Sequence, residues 1–208
     1  MTEEEARQWL RDHNVSRGTL ERLGHFVTLL QTRSSEQNLV AASTLATIWA
    51  RHIVDSAQLI DLAPLNGEWV DLGSGAGFPG LIIAAIGNRP VTLVEPRSKR
   101  VAFLHEAAVV LEIQHLVQIV GTRVELVPRR TAGVITARAF APLPRLFDLA
   151  LHIADADTRW ILPKGRRAVE ELDTARGTCH YDAQVVPSIT DPAAAIIVAT
   201  DVRRREPR

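Results

Sequence analysis

Asp71, Gly73, Gly75 and Gly77 fall within the stretch VDLGSGAGFPG, residues 70–80, at the exit of a strand-like run. Three closely spaced glycines let a backbone turn sharply and approach a ligand, and the stretch carries two overlapping spellings of such a loop. Counted from Gly73 it is G-x-G-x-G with an acid two residues upstream; counted from Gly75 it is G-x-G-x-x-G, a dinucleotide pattern. The strand pattern ends at Leu72, so Gly73 makes the first turn and the dinucleotide spelling is displaced by two residues. Asp71 would repel a pyrophosphate but suits a ligand with an ammonium and a sulfonium. The loop therefore points to S-adenosylmethionine, with Ser74, Gly75 and Gly77 lining it and Phe78 either against the cofactor or stapling the next helix. Glu95, with Pro96 behind it, ends the next strand where a carboxylate can take both ribose hydroxyls. Pro79 suits the first turn of the following helix, where a missing N–H costs nothing.

Other residues are set apart by type. Arginine outnumbers lysine 22 to 2, and the lysines are Lys99 and Lys164, compact hydrated cations in an arginine-rich chain. Arg51 and Asp55 are four apart on an expected helix, as are His52 and Ser56, so each pair shares a face. Those faces either line a ligand wall or hold an intrahelical ion pair and a half-buried histidine. Arg138 ends a strand where a polar ligand edge or a plain ion pair is expected. No histidine is spaced with another His or Cys as a metal site requires, so no metal is expected.

The elements that must position these groups fall into two regions. Residues 1–65 read as a helical cap: a short helix capped by Thr2, then a second capped by Ser16 with Leu20, Leu23, Phe26, Leu29 and Leu30 on one stripe. A third helix is expected from Ser43 or Thr44, carrying Leu45, Ile48, His52, Ile53, Leu59 and Ile60 and ended by Pro64 and Gly67. Residues 66–208 alternate strand-like and helix-like runs: EWVDLG, LIIAAIG, VTLVE, a helix from Ser98 to Leu111, then LVQIV, GVITARA and RWILPKG. That alternation predicts an α/β domain with a mostly parallel sheet covered on both faces. AQVVPSI and AAIIVATDV are too close for a helical crossover and predict a hairpin that places one antiparallel strand in the sheet. The Arg203–Arg205 tail reads as a frayed terminus.

Length and composition suit one domain spanning residues 1–208, with 46% apolar and 23% charged residues. No apolar run approaches the ~18 residues of a membrane span, and MTEEEARQWL lacks the basic and apolar parts of a signal peptide. With Cys179 the single cysteine, a disulfide framework is excluded, and the cytoplasm is the expected compartment. Net charge is zero, yet residues 95–170 hold twelve Arg or Lys against eight Asp or Glu, so a basic face is open to the chain.

Six stretches occur in order: WARHIVDS (Trp49–Ser56), DLGSGAGFPG (Asp71–Gly80), KRVAFL (Lys99–Leu104), RVE (Arg123–Glu125), ARAFAPL (Ala137–Leu143) and LPKG (Leu162–Gly165). Together they resemble the bacterial small-subunit (16S) ribosomal RNA guanine-N7 methyltransferases, also called the glucose-inhibited division protein B family. The resemblance implies a class I, Rossmann-like S-adenosylmethionine-dependent methyltransferase fold with an N-terminal helical extension. It also implies methylation of N7 of guanine 527, in the 16S hairpin that helps form the decoding region. Position by position, it places the cofactor on Gly73, Phe78, Glu95 and Pro96, with Val124 and Glu125 beside the adenine and Arg138 opening the R-A-F run. Lys99, Arg123 and Lys164 would lie near the guanine or cofactor; the functional reading of the helix spacing, apart from the resemblance, puts His52 and Asp55 on the wall facing the cofactor loop or the RNA. The partner would be 16S rRNA or a small-subunit assembly particle, met by a monomer. Glu36–Val40 reads EQNLV where the family often ends an aromatic-rich run in Tyr-Asn-Leu-Thr. Ala193–Ala195 replaces a basic residue common in other members.

The chemistry agrees. Guanine N7 presents a free lone pair at neutral pH and can attack a sulfonium methyl in line, so positioning matters more than a general base. Cys179 lies in an undistinguished stretch and offers no cytosine-C5 nucleophile, and the segment after the fourth strand is R-A-F-A-P-L, without the Pro-Pro-aromatic run of amine methylators. Two other readings stay open: a nicotinamide-dependent oxidoreductase using the displaced glycine motif, and a non-catalytic RNA-binding or assembly factor on the same fold.

Overall fold

Strands buried on both faces must be apolar at nearly every position, and the segments WVDL and VTLV meet that demand. In the computed structural model, which describes residues 1–63 and 67–205, they form β1 (Trp69–Leu72) and β2 (Val91–Val94), buried throughout. With β3 (Val117–Val120), β4 (Val134–Thr136), β5 (Arg159–Lys164), β6 (Cys179–Pro187) and β7 (Ala195–Arg204) they build one sheet in the order β3-β2-β1-β4-β5-β7-β6. β1 to β5 pair in parallel, whereas β7 runs antiparallel to both β5 and β6, as the short connection between the last two runs requires.

Alternate residues feed two cores. Trp69, Leu93, Val134, Ile161 and Ile196 point to one face, against α4 (Gly80–Gly87) and α5 (Ser98–Val110). Val70, Leu72, Ile135, Trp160 and Ile197 point to the other, against α6 (Leu143–Ala150) and α7 (Ala168–Ala175). The N-terminal helices join the first core. α1 (Glu3–Asp12) begins at Thr2 in a complete capping box, and α2 (Arg17–Ser34) is capped by Ser16. Leu23, Phe26 and Leu30 are fully buried, each contributing on the order of 2 kcal/mol, while Leu20 and Leu29 are half-buried at the edge of the stripe.

The expected third helix is not one regular helix. A 3-10 stretch (Ala42–Thr47) runs into a π-helical turn (Trp49–Val54) and a short α3 (Asp55–Ala57), followed by a 3-10 turn at Ile60–Leu62. The periodicity is right, but the wider turn shifts which side chains share a face. Glu3 stabilises its start, its carboxylate accepting from the N–H groups of Trp49 (3.2 Å) and Ala50 (2.9 Å). Pro64 and the 65/66 boundary between cap and core lie outside the described residues. Arg203 and Arg204 belong to β7, where they pair in register with β6 and bridge to Asp201 and Asp148, so the arginine run closes an inner strand rather than fraying.

Strand order reverses direction between β1 and β4. In open α/β sheets the crevice at the carboxyl ends of the strands beside such a switch holds ligand, which singles out the loops after Leu72 and Thr136.

Candidate functional site

The loop after β1 turns on three glycines in the left-handed region, Gly73 (φ 69°), Gly75 (57°) and Gly77 (88°). It is tied to β2 by the N–H groups of Gly73 and Ser74, which donate to the Val94 carbonyl (2.8 and 3.1 Å). Glu95, buried just beyond β2, closes the loop from the side. Its Oε2 accepts from Gly75 N–H and its Oε1 from Arg97 N–H, each at 3.0 Å, with the Arg100 guanidinium 3.7 Å away. Both oxygens keep lone pairs beyond these bonds, as a carboxylate that takes ribose hydroxyls needs.

Asp71 sits beneath the loop, fully buried, and Oδ2 accepts from Gly80 N–H at the start of α4 (3.1 Å). The other oxygen, Oδ1, is buried with no hydrogen-bond partner. Burial without full compensation pushes the pKa of its carboxyl up to about 7. The neighbouring Thr136 Oγ1, one strand over in register, is likewise buried and unpartnered. Ser74 Oγ donates to the Asp71 carbonyl (3.0 Å) and holds the turn. Pro79 precedes α4 as its cap rather than sitting in its first turn, joined to Phe78 by a cis peptide bond.

Phe78 leads from the loop to a bonded cluster. Its ring stacks on His52 (centroids 4.9 Å apart), and the Arg138 guanidinium lies 5.1 Å from the ring centroid. Arg138 also donates to His52 Nδ1 (2.8 Å) and to the Arg51 carbonyl (3.1 Å), and pairs with Asp55 at 3.5 Å. Arg138 has only donors, so His52 Nδ1 accepts and Nε2–H must donate to Thr44 Oγ1 (2.9 Å). Burial first, then the charges of Arg138 and Arg51, push His52 down to about 3. Burial also lowers Arg138 against the pull of Asp55 and Asp71. Asp55 is held further by Thr190 Oγ1 (2.8 Å) and Gln58 Nε2 (3.0 Å). Arg51 does not pair with Asp55; it turns outward to Asp191 at 2.7 Å, and Ser56 Oγ donates to the His52 carbonyl.

This cluster forms one wall of an open cleft of about 880 Å³. Phe140, Lys164, Arg166, Arg167 and Glu171 complete the other walls. Phe140 comes from the segment after β4 and packs on the glycine loop, so closely that a Cβ on Gly73 would meet the ring at 2.5 Å. Lys164, at the end of β5, reaches the Glu171 carboxylate (2.7 Å) and the Ala141 carbonyl (3.2 Å). Arg166 and Arg167 are exposed on the loop after β5.

Of the residues singled out by sequence, Asp71, Gly73, Ser74, Gly75, Gly77, Phe78 and Glu95 gather around one loop, and His52, Asp55, Arg138 and Lys164 line the adjoining cleft. Pro96 is exposed just past Glu95. Arg123, Val124 and Glu125 form the turn after β3, two strands from β1, with Val124 buried and its neighbours exposed. Lys99 faces a separate groove of about 320 Å³ with Arg33, Glu36 and Glu106. Phe140 and Arg100 lie inside the ARAFAPL and KRVAFL stretches, where nothing in residue type or spacing set them apart from their neighbours. Glu171 and Thr190 carried no local signal, being joined to the site only once distant elements pack, whereas Gln58 reaches Asp55 from three residues along the chain.

Residues 19–196 match the family model GidB, described as rRNA small subunit methyltransferase G. The chain belongs to this family. The ribosomal RNA small subunit methyltransferase G of Rhizorhabdus wittichii is 48% identical over 99% of this chain and 95% of that protein. The Zymomonas mobilis protein of the same name is 45% identical, over 99% and 97%. Among solved structures, the glycopeptide N-methyltransferase MtfA complexed with S-adenosylhomocysteine overlays with a TM-score of 0.61 at 8% identity, over 72% of this chain and 89% of that one. That likeness speaks for a shared fold. In the fold, the glycine loop and the R-A-F segment flank the switch point, and the K-G motif closes the cleft from β5.

Proposed function

We propose that this protein transfers a methyl group from S-adenosylmethionine to N7 of a guanine in 16S rRNA, guanine 527 by the family's pattern. We further propose that it acts as a cytoplasmic monomer whose 1–208 chain is one domain. Family membership over most of the chain carries this reading.

The residues present fit the cofactor. The loop turns at Gly73, Gly75 and Gly77 in the left-handed region, Glu95 has lone pairs for ribose hydroxyls, and Asp71 Oδ1 is a buried acceptor without a partner. When bound, the cofactor supplies an activated methyl whose bonding pair returns to sulfur. Guanine N7 takes that methyl without losing a proton first, so no general base is required. The site agrees with this: both His52 nitrogens are engaged, and its ring is held neutral down to about pH 3. Asp55 is tied by Arg138, Thr190 and Gln58. What the cleft offers instead is positioning, with an aromatic face at Phe140 and exposed cations at Arg166 and Arg167 for phosphates.

The test uses small subunits and free 16S rRNA from cells lacking the protein, incubated with methyl-labelled cofactor. Borohydride and aniline treatment then cleaves the RNA at 7-methylguanine. A single cleavage at the expected guanine supports the reading; label elsewhere, or none on either substrate, overturns it.

A further inference from the structure

The segment Ala137–Pro142 carries both Arg138 and Phe140 into the site, yet it has no regular structure of its own. Ala139 within it holds φ 52°, a left-handed conformation that a non-glycine residue keeps only when its surroundings impose it. Two bonds impose it from the far side of the cleft. Lys164 Nζ donates to the Ala141 carbonyl at 3.2 Å, and Leu143 N–H donates to Glu171 Oε2 at 3.0 Å. The same Glu171 oxygen accepts from Lys164 Nζ at 2.7 Å, which joins the two holds into one clasp. The clasp ties the end of β5 and the middle of α7 to the start of α6, and its lysine is only 11% exposed.

We infer that Glu171 is a positioning residue for methyl transfer, acting through Lys164 to hold the Arg138–Phe140 segment against the glycine loop. Lys164 then works inward, on the protein's own backbone, instead of reaching for RNA. A lysine suits this better than the arginine used almost everywhere else in the chain: a compact ammonium can bridge one carbonyl and one carboxylate in a narrow space. The clasp also explains how a loop without secondary structure presents Phe140 in contact with Gly73. The inference rests on the proposed methyl transfer for its kinetic effect, but the clasp itself can be read without activity.

The test compares Glu171→Ala, Glu171→Gln, Lys164→Ala and the Lys164→Ala/Glu171→Ala double variant. Misplacing site groups by about an ångström lowers turnover by on the order of 100-fold, so Glu171→Ala is expected to lower kcat by between tenfold and that limit. Cofactor affinity is expected to stay at the wild-type value. Glu171→Gln, which keeps an oxygen acceptor for Leu143 N–H and Lys164, is expected to recover much of the rate. The double variant is expected to be no slower than Lys164→Ala alone, and Lys164→Ala is expected to leave the salt dependence of RNA binding unchanged. Multiplying effects in the double variant, or a salt slope in Lys164→Ala that is shallower by about one phosphate, would overturn the inference. Hydrogen exchange gives the independent reading: peptides covering 139–143 exchange faster in Glu171→Ala while those covering β1 do not. Unchanged exchange at 139–143 overturns the clasp. A wild-type protein that leaves rRNA unmethylated instead overturns the proposed function, with the exchange result still standing.

Discussion

His52 Nδ1 and the Arg138 guanidinium meet at 2.8 Å, and because the guanidinium can only donate, this one contact fixes the tautomer of the imidazole. A proton on Nδ1 would set two donors against each other beside a buried cation. His52 is therefore expected to remain neutral through the physiological range, near its folded value of about 3 against 6.5 when unfolded. Imidazole carbon shifts followed from pH 8 to pH 5 check this. A flat curve for His52, while surface histidines titrate, is the expected outcome, and an inflection near 6.5 would contradict the hydrogen-bond assignment.

Asp71 and His52 act oppositely on stability. A base whose folded value is depressed contributes stability above its unfolded value and loses it as pH falls; for His52 the loss begins near 6.5. An acid raised from 3.8 to about 7 contributes below 3.8 and loses that contribution as pH rises toward 7. Between about pH 4 and 6.5 the two slopes offset each other in the wild-type protein. Asp71→Asn removes one of them. Its stability is expected to drop by about 2 kcal/mol between pH 6.5 and 5, at about 1.4 kcal/mol per unit, where the wild type stays level. At pH 8 the variant is expected to be more stable than wild type by at least about 1 kcal/mol and to bind S-adenosylmethionine more weakly. Urea denaturation at the three pH values and calorimetry with the cofactor measure both effects.

Gly73 faces two separate obstacles to a side chain, its φ of 69° and the Phe140 ring 2.5 Å from where a Cβ would stand. Gly73→Ala is expected to cost on the order of 1–3 kcal/mol and to weaken cofactor binding. Adding Phe140→Ala relieves the steric part and leaves the backbone strain. The double variant is thus expected to regain some, but not all, of the lost stability in thermal melts. Full recovery would mean that the loop tolerates the conformation without glycine; no recovery would mean that Phe140 moves aside freely.

Local signals carried much of this molecule. The caps at Thr2 and Ser16, the two-sided apolar strands and the terminal hairpin are each set by neighbours a few residues away, and each was legible. The glycine loop was legible for the same reason. The segment from Ala42 to Leu62 misled because a 3-10 start and a π turn preserve an approximate helical spacing while rotating the faces. Arg51 thereby pairs with Asp191, and Asp55 with Arg138, instead of with each other. Glu171 was invisible for a different reason: its meaning lies in a lysine seven residues before it and an amide 28 residues before it, joined only once β5, α6 and α7 pack together. Lys99 was grouped with Lys164 by residue type, but the fold sends the two to different grooves.

Arg166 and Arg167 stand exposed at the cleft mouth, on the loop where β5 ends, and neither makes an ion pair among the described residues. Arg51 and Arg138, by contrast, are already committed to Asp191 and Asp55. An unpaired surface cation beside a cleft for RNA gains affinity by releasing counterions from phosphate, a contribution that shrinks as salt rises. Arg166→Ala with Arg167→Ala is therefore expected to weaken binding of 16S rRNA most at low salt. The slope of log affinity against log salt should flatten by about 0.7 for each single-strand phosphate that the arginines neutralise. Cofactor affinity and kcat at saturating RNA are expected to stay near wild type, because neither arginine side chain bonds to the glycine loop or to the clasp, and the Arg167 carbonyl that accepts from Glu171 N–H (2.9 Å) is kept in the alanine variant. Filter binding across a salt series, paired with methyl-transfer rates at saturation, separates these effects. A lowered kcat with an unchanged salt slope would place the two arginines in alignment of the base instead of capture of the backbone.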